Sequence, residues 1–369
     1  MAKVIGIVNL HSNIEFGGLT KRRPVASVSF LGRYGIIDFV LSNFSNSNID
    51  SVGVLIKEKP RSLFKHMGLG NSWNFNSKSG GISLLYNEQY ANDPRYNHDI
   101  NNLIENIAFL DKSGADYVVI APEHIITTMN YQDVIEEHEK SGAEITMVYH
   151  HIDNANEEFI GGSCLTIKGK RVVEVSENKG NRKERNISLD TYVINLKTLK
   201  RLLTRAKNIS AFFDLKDTLA YLCDEKEIHA YEYKGYVCNL DSLEAYFKHS
   251  LEFLELDTFS QVFKSNWPIY TNTNDTPPSK YKKHASVKKA FIANGAIVDG
   301  TVEDSILGRN VEIGKDAVVK NCILLSGSKV SAGAHLENVI LDKEARVEKQ
   351  KDLVGQASHP LYVKEGDVV

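Results

Sequence analysis

The sequence has few cysteines, few prolines and no long hydrophobic segment. Of its 369 residues, four are cysteine and eight are proline. The cysteines lie far apart, without a Cys-x-x-Cys pair, at Cys164, Cys223, Cys238 and Cys322. This spacing argues against a zinc site and favours reduced thiols. No apolar run approaches the roughly 20 residues that cross a membrane, and no secretion signal pattern precedes the first strand. We therefore expect a cytoplasmic protein.

The charge balance is close to neutral. Lysine and arginine number 44, aspartate and glutamate number 47, and the formal net charge is −3. The basic residues are outnumbered and dispersed, whereas nucleic-acid-binding proteins concentrate them on one face. The composition therefore predicts that the protein binds neither nucleic acid nor a membrane.

A strand, a loop and a helix are predicted at the start of the chain. The apolar run at residues 3–8 predicts a strand, and the run at 36–41 predicts a helix. In this setting, backbone N–H groups and a helix N-terminus hold nucleotide phosphates. The segment from Val8 to Asn43 is therefore where a phosphate-binding site is expected.

Strand and helix patterns alternate up to about residue 255. Buried strands are predicted at 51–56, 116–121 and 144–149, and helices at 101–110 and 131–140. This alternation predicts an α/β domain whose mostly parallel sheet is covered on both faces. Ligands of such sheets bind beyond the carboxyl ends of the strands.

The composition changes around residues 264–284, which are rich in proline, asparagine, threonine and serine and predict a linker. Beyond it, apolar residues recur at six-residue spacing in three groups, with a slip in register between Val298 and Leu307. The groups are Ile292 and Val298, then Leu307, Ile313, Val319 and Leu325, then Val330 and Leu336. A hexapeptide period predicts a parallel β-helix, in which each coil buries its apolar edge against its neighbours. The spacing leaves no room for hairpins, which argues against a sandwich of short strands. The predicted boundaries are an α/β domain at 1–260, a linker at 261–284 and a β-helix at 285–369.

Several residues of the early segment carry a family resemblance: Leu19, Thr20, Arg23, Val28, Phe30, Gly32 and Ile36–Asn43. They match the pattern LTxxRAKPAVxFGGxxRIIDFxLSN of sugar nucleotidyltransferases, and in particular of bacterial glucose-1-phosphate adenylyltransferases (ADP-glucose pyrophosphorylases). The chain resembles this family, and the order of linker and β-helix extends the resemblance over nearly the whole sequence. The resemblance implies a Rossmann-like nucleotidyltransferase domain followed by a left-handed parallel β-helix.

The phosphate loop of that family does not survive in this chain. The family's AGGRGTRL falls on residues 9–16, where the nucleotide-binding glycines are replaced by Leu10, His11 and Asn13. The triphosphate arginine is replaced by Glu15, and the lysine of AKP by Val25. Glycine lets the backbone approach a phosphate with positive φ, which a leucine resists. In this respect the chain resembles the noncatalytic, regulatory (GlgD-type) subunits of the family.

The two metal-binding aspartates of the family are also changed. The first, in a GDH tripeptide, corresponds to Glu123, whose longer side chain moves the carboxylate by about a methylene. The second corresponds to Asn239, which carries no charge; the family's LEAY sequence follows at 243–246 and secures the alignment. The resemblance therefore implies no catalytic residue and no metal or other cofactor for this chain, with Mg²⁺ expected in a catalytic partner.

Two further positions are assigned by the resemblance alone. The sugar-phosphate lysine of the family's EKP corresponds to Lys179, although an inserted Asn178 and a missing proline change its surroundings. A solvated loop lysine is the alternative. Basic residues just after LT contribute to an anionic effector site in the family, which makes Arg22 and Arg23 candidates to bind a phosphorylated metabolite. A solvated surface turn is the alternative there.

Three functions are compatible with these residues. The first is a regulatory or structural subunit that forms a heterotetramer with a catalytic adenylyltransferase, which makes ADP-glucose from ATP and glucose 1-phosphate for glycogen synthesis. The second is an active nucleotidyltransferase with an atypical loop, in which Glu123 and Asp241 hold the metal and Arg22, Arg23 or Arg33 replaces the lost cations. The third is a noncatalytic sugar-phosphate-binding protein. Phosphoryl transfer depends almost entirely on positioning and charge neutralisation, so the joint losses favour the first.

Overall fold

The computed structural model describes residues 2–68, 70–75, 80–210, 212–223, 225–348 and 352–369. Two compact units are present. The first comprises Met1–Asn13, Phe39–Asn239 and Trp267–Tyr270, and the second comprises Ile14–Asp38, Leu240–Asn266 and Thr271–Val369. The units are thus discontinuous along the chain, whereas the predicted boundaries at 260 and 285 follow chain order.

The α-helices, in chain order, are α1 (Ile37–Asn46), α2 (Pro60–Met67), α3 (Asp99–Glu105), α4 (Ile107–Ser113), α5 (Tyr131–Ser141), α6 (Leu196–Ile209), α7 (Leu215–Leu222), α8 (Leu243–Glu252) and α9 (Leu256–Val262). Short 3₁₀ helices lie at Gly17–Thr20, Val25–Ser27 and Asn71–Trp73. Within the described ranges, no helix combines the length and apolarity that crossing a membrane requires.

The strands in the first part of the chain are β1 (Val4–Asn9), β2 (Ser29–Phe30), β3 (Tyr34–Gly35), β4 (Ser51–Ile56), β5 (Gly81–Tyr86), β6 (Tyr117–Pro122), β7 (Ile125–Thr127), β8 (Ile145–Ile152), β9 (Ser163–Lys168), β10 (Arg171–Glu177), β11 (Arg185–Asn195), β12 (Ile228–Glu232) and β13 (Val237–Asn239). The remainder are β14 (Lys280–Tyr281), β15 (Ser286–Ile292), β16 (Ile297–Val298), β17 (Thr301–Leu307), β18 (Glu312–Ile313), β19 (Val318–Lys320), β20 (Ile323–Leu324), β21 (Lys329–Val330), β22 (His335–Glu337), β23 (Val339–Leu341), β24 (Arg346–Val347), β25 (Asp352–Val354) and β26 (Leu361–Val363).

The first unit is built on a nine-stranded sheet of order β5-β4-β1-β6-β11-β8-β12-β10-β9. The pairs β5–β4, β4–β1, β1–β6 and β8–β12 are parallel. β11 is antiparallel to β6 and β8, and β10 to β12 and β9. The other seven described strands of this sheet therefore run in one direction, which confirms the predicted α/β class with a mostly parallel sheet.

The predicted elements recur as β1, β4, β6, β8, α1 and α5, with shifts of a residue or a few at their ends. The predicted helix at 101–110 is instead two helices, α3 and α4, which meet at Asn106. The side chain of Asn106 donates to the carbonyl oxygens of Asn102 at 3.0 Å and Tyr86 at 3.1 Å. Asparagine competes in this way with helical backbone bonding, and α3 ends and α4 begins at this residue.

The β-helix of the second unit is stacked from parallel strands in sheets of five and eight strands. Ile313 aligns with Val330, and Val330 with Val347, so one coil takes 17 residues. The inward residues of a coil are Ile313, Val319 and Leu324, at intervals of six, five and six. The predicted inward positions Ile313 and Val319 are confirmed. Leu324, rather than the predicted Leu325, stacks on Leu307, because one side of the coil is a residue shorter than a hexapeptide.

Candidate functional site

The carboxyl ends of the parallel strands β1, β4 and β6 meet at one edge of the sheet in the first unit. The loop at residues 9–13 follows β1, Lys57 follows β4, and Glu123 follows β6. Ligands of parallel α/β sheets bind at this edge, so these residues define the candidate site. The loop occupies the positions of the family's phosphate loop.

Leu10 and His11, which replace two loop glycines, fill the start of this loop. Leu10 is buried, and its backbone N–H donates to the carbonyl oxygen of Leu55 at 3.2 Å. The Nε2 atom of His11 lies 3.0 Å from the side-chain amide nitrogen of the buried Asn102. The Leu10 backbone and the His11 side chain therefore attach the loop to β4 and α3.

Asn9 and Asp99 fix the same loop from its base. The Asn9 side chain donates from Nδ2 to Asp99 Oδ2 at 2.7 Å, and its Oδ1 accepts the N–H of His11 at 3.1 Å. Asp99 Oδ1 also accepts the N–H of Leu215 at the start of α7. Burial, and then the nearby charge of Asp214, raises the pKa of Asp99 to about 6. One carboxylate thus ties the loop to the starts of α3 and α7.

Glu123 and Lys57 bind the tip of the loop. The Glu123 side chain is buried, and its Oε1 accepts the hydroxyl of Ser12 at 3.2 Å. Its other oxygen, Oε2, has no hydrogen-bond partner within the described residues. The Nζ of Lys57 donates to the Ser12 carbonyl at 3.2 Å and to Asn13 Oδ1 at 2.6 Å. Glu123 could bind a metal ion and Lys57 a phosphate, but in this structure both side chains bind the loop at residues 9–13.

The residues at the two family metal positions supply one carboxylate, from Glu123, instead of two. Asn239 ends β13, where it is paired with Ile125, two residues beyond Glu123. Mg²⁺ is held by carboxylates in near-octahedral geometry, and an amide at the second position supplies no charge. Nowhere in the described parts of the chain do three or more His, Cys, Asp or Glu side chains form a group that could hold a metal.

Three more sequence-assigned residues, Lys179, Glu15 and Val25, lie on other segments of the chain. Lys179 is exposed on the loop after β10, beside the buried Asn178, whose side-chain amide donates to the Ala155 and Phe159 carbonyls. Glu15 and Val25 belong to the second unit, where Glu15 is exposed and Val25 is buried.

The structure separates the two effector candidates, Arg22 and Arg23. Arg22 is exposed, whereas Arg23 is 4% exposed and forms ion pairs with Asp342 at 2.9 Å and Glu365 at 3.0 Å. Arg23 therefore does not lie on the solvated turn that sequence analysis allowed, and its charge is already compensated. Of the two, Arg22 is the arginine that a dissolved anion can reach.

His11 provides a test of the site through pH. Burial, and then the charge of Lys57, lowers the pKa of His11 to about 3. Between about pH 6.5 and 3 the unfolded chain therefore binds a proton that the folded chain excludes, so stability is lost as pH falls, by up to about 1.4 kcal/mol per pH unit. We expect His11→Gln to lose stability less steeply across this range, measured by urea unfolding.

The raised pKa of Asp99 acts in the opposite direction, because the folded chain takes up its proton first as pH falls below about 6. Comparing His11→Gln with the unmodified chain removes this shared contribution. His359→Gln, at a side chain that is 80% exposed, is the control and should follow the unmodified chain. Parallel curves for all three proteins would show that His11 does not control acid stability.

The chain was compared with known proteins. The nucleotidyl transferase family matches residues 16–253, and the GlmU-like C-terminal hexapeptide family matches residues 277–359. These matches agree with the observed α/β domain and β-helix, and they confirm the predicted fold class.

Individual relatives cover most of the chain. It is 29% identical to the glycogen biosynthesis protein GlgD of Bacillus subtilis (strain 168), over 94% of this chain and 91% of that protein. It is 31% identical to the glucose-1-phosphate adenylyltransferase of Clostridium perfringens (strain SM101 / Type A), over 86% and 82% of the two chains. The enzyme of that name from Clostridium botulinum (strain Alaska E43 / Type E3) is 33% identical, over 84% and 81%. The resemblance noted from the motifs is thereby confirmed.

Proposed function

The chain belongs to the nucleotidyl transferase family, together with the glucose-1-phosphate adenylyltransferases, and we propose that it is a regulatory or structural subunit of such an enzyme, catalytically deficient on its own. In this role it assembles with a catalytic subunit that converts ATP and glucose 1-phosphate to ADP-glucose and diphosphate in glycogen biosynthesis. The proposed assembly is a heterotetramer.

The observation that carries the proposal is the internal bonding of the loop at residues 9–13. Backbone N–H groups that cradle a triphosphate must be free to point at it, but the N–H groups of Leu10 and His11 donate to Leu55 and Asn9. Lys57 follows β4 at this edge of the sheet, and its Nζ donates to Ser12 and Asn13 rather than to a phosphate. A triphosphate would have to displace these contacts and then lie beside the buried Glu123 carboxylate.

The proposed contribution of this chain is to hold its partner in an active conformation and to transmit effector binding. Such coupling requires that the subunit contact two states of the partner differently. A fold kept intact around a lost phosphate loop suits this role, because assembly needs the surface of the fold rather than its catalytic edge.

The test is a mixing experiment with the catalytic adenylyltransferase of the same organism. We expect the two chains to co-elute, and the mixture to make ADP-glucose faster, or with a different effector response, than the catalytic subunit alone. Separate elution with unchanged activity would contradict the proposal. Turnover by this chain alone would favour the active-enzyme function, and glucose 1-phosphate binding without co-elution would favour the binding-protein function.

Arg22 is the better of the two arginines for testing regulation, because it is exposed whereas Arg23 is buried in ion pairs. Phosphorylated metabolites carry two or more negative charges, which an exposed guanidinium can meet through two parallel hydrogen bonds. We expect Arg22→Ala to leave assembly intact and to raise the half-activating concentration of a sugar bisphosphate several-fold, read from activation curves of the mixed enzyme. Arg171→Ala, at an exposed arginine on β10, is the control. Identical curves for both variants would assign Arg22 to the solvated surface.

A further inference from the structure

Arg23 lies in a buried set of charged groups within the second unit. Its Nη1 is 2.9 Å from Asp342 Oδ1, and its Nη2 donates to Asp342 Oδ2 at 3.0 Å. Nη2 also donates to Glu365 Oε2 at 3.0 Å. The side chains of Arg23 and Asp342 are 5% and 1% exposed, and that of Glu365 is 37% exposed. Nη2 thus donates to one buried and one surface carboxylate, while Nη1 lies within ion-pair distance of the buried one but makes no hydrogen bond within the described residues.

The surrounding groups hold Asp342 in this position. Asp342 Oδ2 also accepts the hydroxyl of Tyr362 at 2.8 Å, and Oδ1 accepts the N–H of Lys343 at 2.7 Å. Gly18 makes room for the ring of Tyr362, because a Cβ at this glycine would lie 2.2 Å from Cε1 of the tyrosine. The carboxylate is therefore oriented by two groups besides the arginine, the Tyr362 hydroxyl and the Lys343 N–H.

The contacts of Asp342 are those that a bound carboxylate or phosphate makes with an arginine. A charge-assisted hydrogen bond from a guanidinium, together with its positive charge, is how an arginine holds such anions. Here the anion is supplied by the β-helix and the cation by residues 14–38 of the same unit. Two carboxylates face one guanidinium, so a dissolved anion finds no uncompensated positive charge at Arg23.

We propose that Arg23 occupies an internal anion site that the chain's own Asp342 fills. Arg23 acts as a positioning residue: it holds residues 14–38 on the β-helix, and it is not available to a phosphorylated metabolite. This inference concerns the second unit alone and does not depend on the proposed subunit role. It predicts that removing the Asp342 side chain opens a site for a small carboxylate.

The experiment is anion rescue of full-length Asp342→Ala, measured as the thermal unfolding midpoint Tm. Removing Asp342 leaves the buried guanidinium with only the surface carboxylate of Glu365, so we expect Asp342→Ala to lower Tm by roughly 5–15 °C. Sodium formate should recover about half of that loss by binding the folded form, whereas sodium chloride at equal ionic strength should not. The unmodified chain should gain nothing from formate beyond its response to chloride.

Two further variants make the result decisive. Asp342→Asn fills the same space without charge, so it should lower Tm and gain nothing from formate; this variant also serves if the alanine variant does not fold. Arg23→Gln combined with Asp342→Ala should lose the formate response, because the guanidinium is gone. An unchanged Tm for Asp342→Asn would overturn the proposal. So would a formate gain that is equal in Asp342→Ala and the unmodified chain, or that persists without Arg23.

Discussion

We expect the purified chain, supplied with ATP, glucose 1-phosphate and Mg²⁺, to form ADP-glucose no faster than a reaction without protein. Phosphoryl transfer relies on donors and cations placed around the phosphates, and removing one such donor typically costs about 10²–10³-fold in rate. Here the N–H groups of Leu10 and His11 bind within the chain, and so do the side chains of Lys57 and Glu123. The rate should therefore fall by at least about 10⁴-fold relative to an active relative.

Restoring single family residues should not recover turnover. Glu15→Arg and Val25→Lys each return a lost cation. They leave Leu10, His11 and the Ser12–Glu123 hydrogen bond of the first unit unchanged. The assay measures ADP-glucose directly, with the catalytic adenylyltransferase of the same organism as positive control. Steady turnover by the unmodified chain, or full activity of either variant, would contradict catalytic deficiency.

Much of the fold could be predicted because it is encoded in continuous patterns. β1, β4, β6 and β8 are unbroken apolar runs, and such runs mark buried strands whatever their neighbours are. The position of β11 could not be predicted in the same way. Its antiparallel place between β6 and β8 depends on pairing with segments far away in the chain.

The β-helix shows how far a six-residue sequence period can predict the inward-facing positions of a coil. Six-residue spacing predicted that Ile313 and Val319 point inward. The prediction succeeds because the intervals from Leu307 to Ile313 and from Ile313 to Val319 are both six residues long. The next side of the coil is five residues long, and only the pairing of Leu324 with Leu307 reveals it. Leu325 is also buried, so hydrophobicity could not distinguish the two leucines.

The sequence pointed to the candidate site through the family residues that are replaced there, and not through the hydrogen bonds that the replacing residues make. Replacement of the loop glycines by Leu10 and His11 is visible in the sequence, and it predicts that phosphate binding is lost. What fills the site instead is set by contacts over long separations, such as His11 with Asn102, 91 residues apart. Likewise, no motif could predict that Arg23 pairs with Asp342, which lies 319 residues away in the chain. A motif specifies residue types, whereas burial and partners follow from the folded chain.

Ile313→Ala should destabilise the second unit strongly. Ile313 is buried in the β-helix, where its neighbours in the stack are Val298 and Val330. Truncating a large buried aliphatic side chain loses its transfer free energy and leaves a cavity, at a cost of roughly 2–5 kcal/mol. The two flanking coils are held in register by their own hydrogen bonds, so they cannot collapse fully into the space. We expect this loss in the free energy of unfolding, measured by guanidinium titration of the full-length chain.

The β-helix offers a matched pair of controls in two consecutive valines. Val319 is fully buried and stacks between Val302 and Leu336, whereas Val318 is 37% exposed on the outer face. Val319→Ala should therefore destabilise the chain in the same direction as Ile313→Ala, while Val318→Ala should change stability by no more than about 0.5 kcal/mol. Because both residues are valines of the same strand, a difference between the two variants in the free energy of unfolding reports which side chain points inward. Equal effects at Val318 and Val319, or an Ile313→Ala variant as stable as the unmodified chain, would show that the inward register of the coil is wrong.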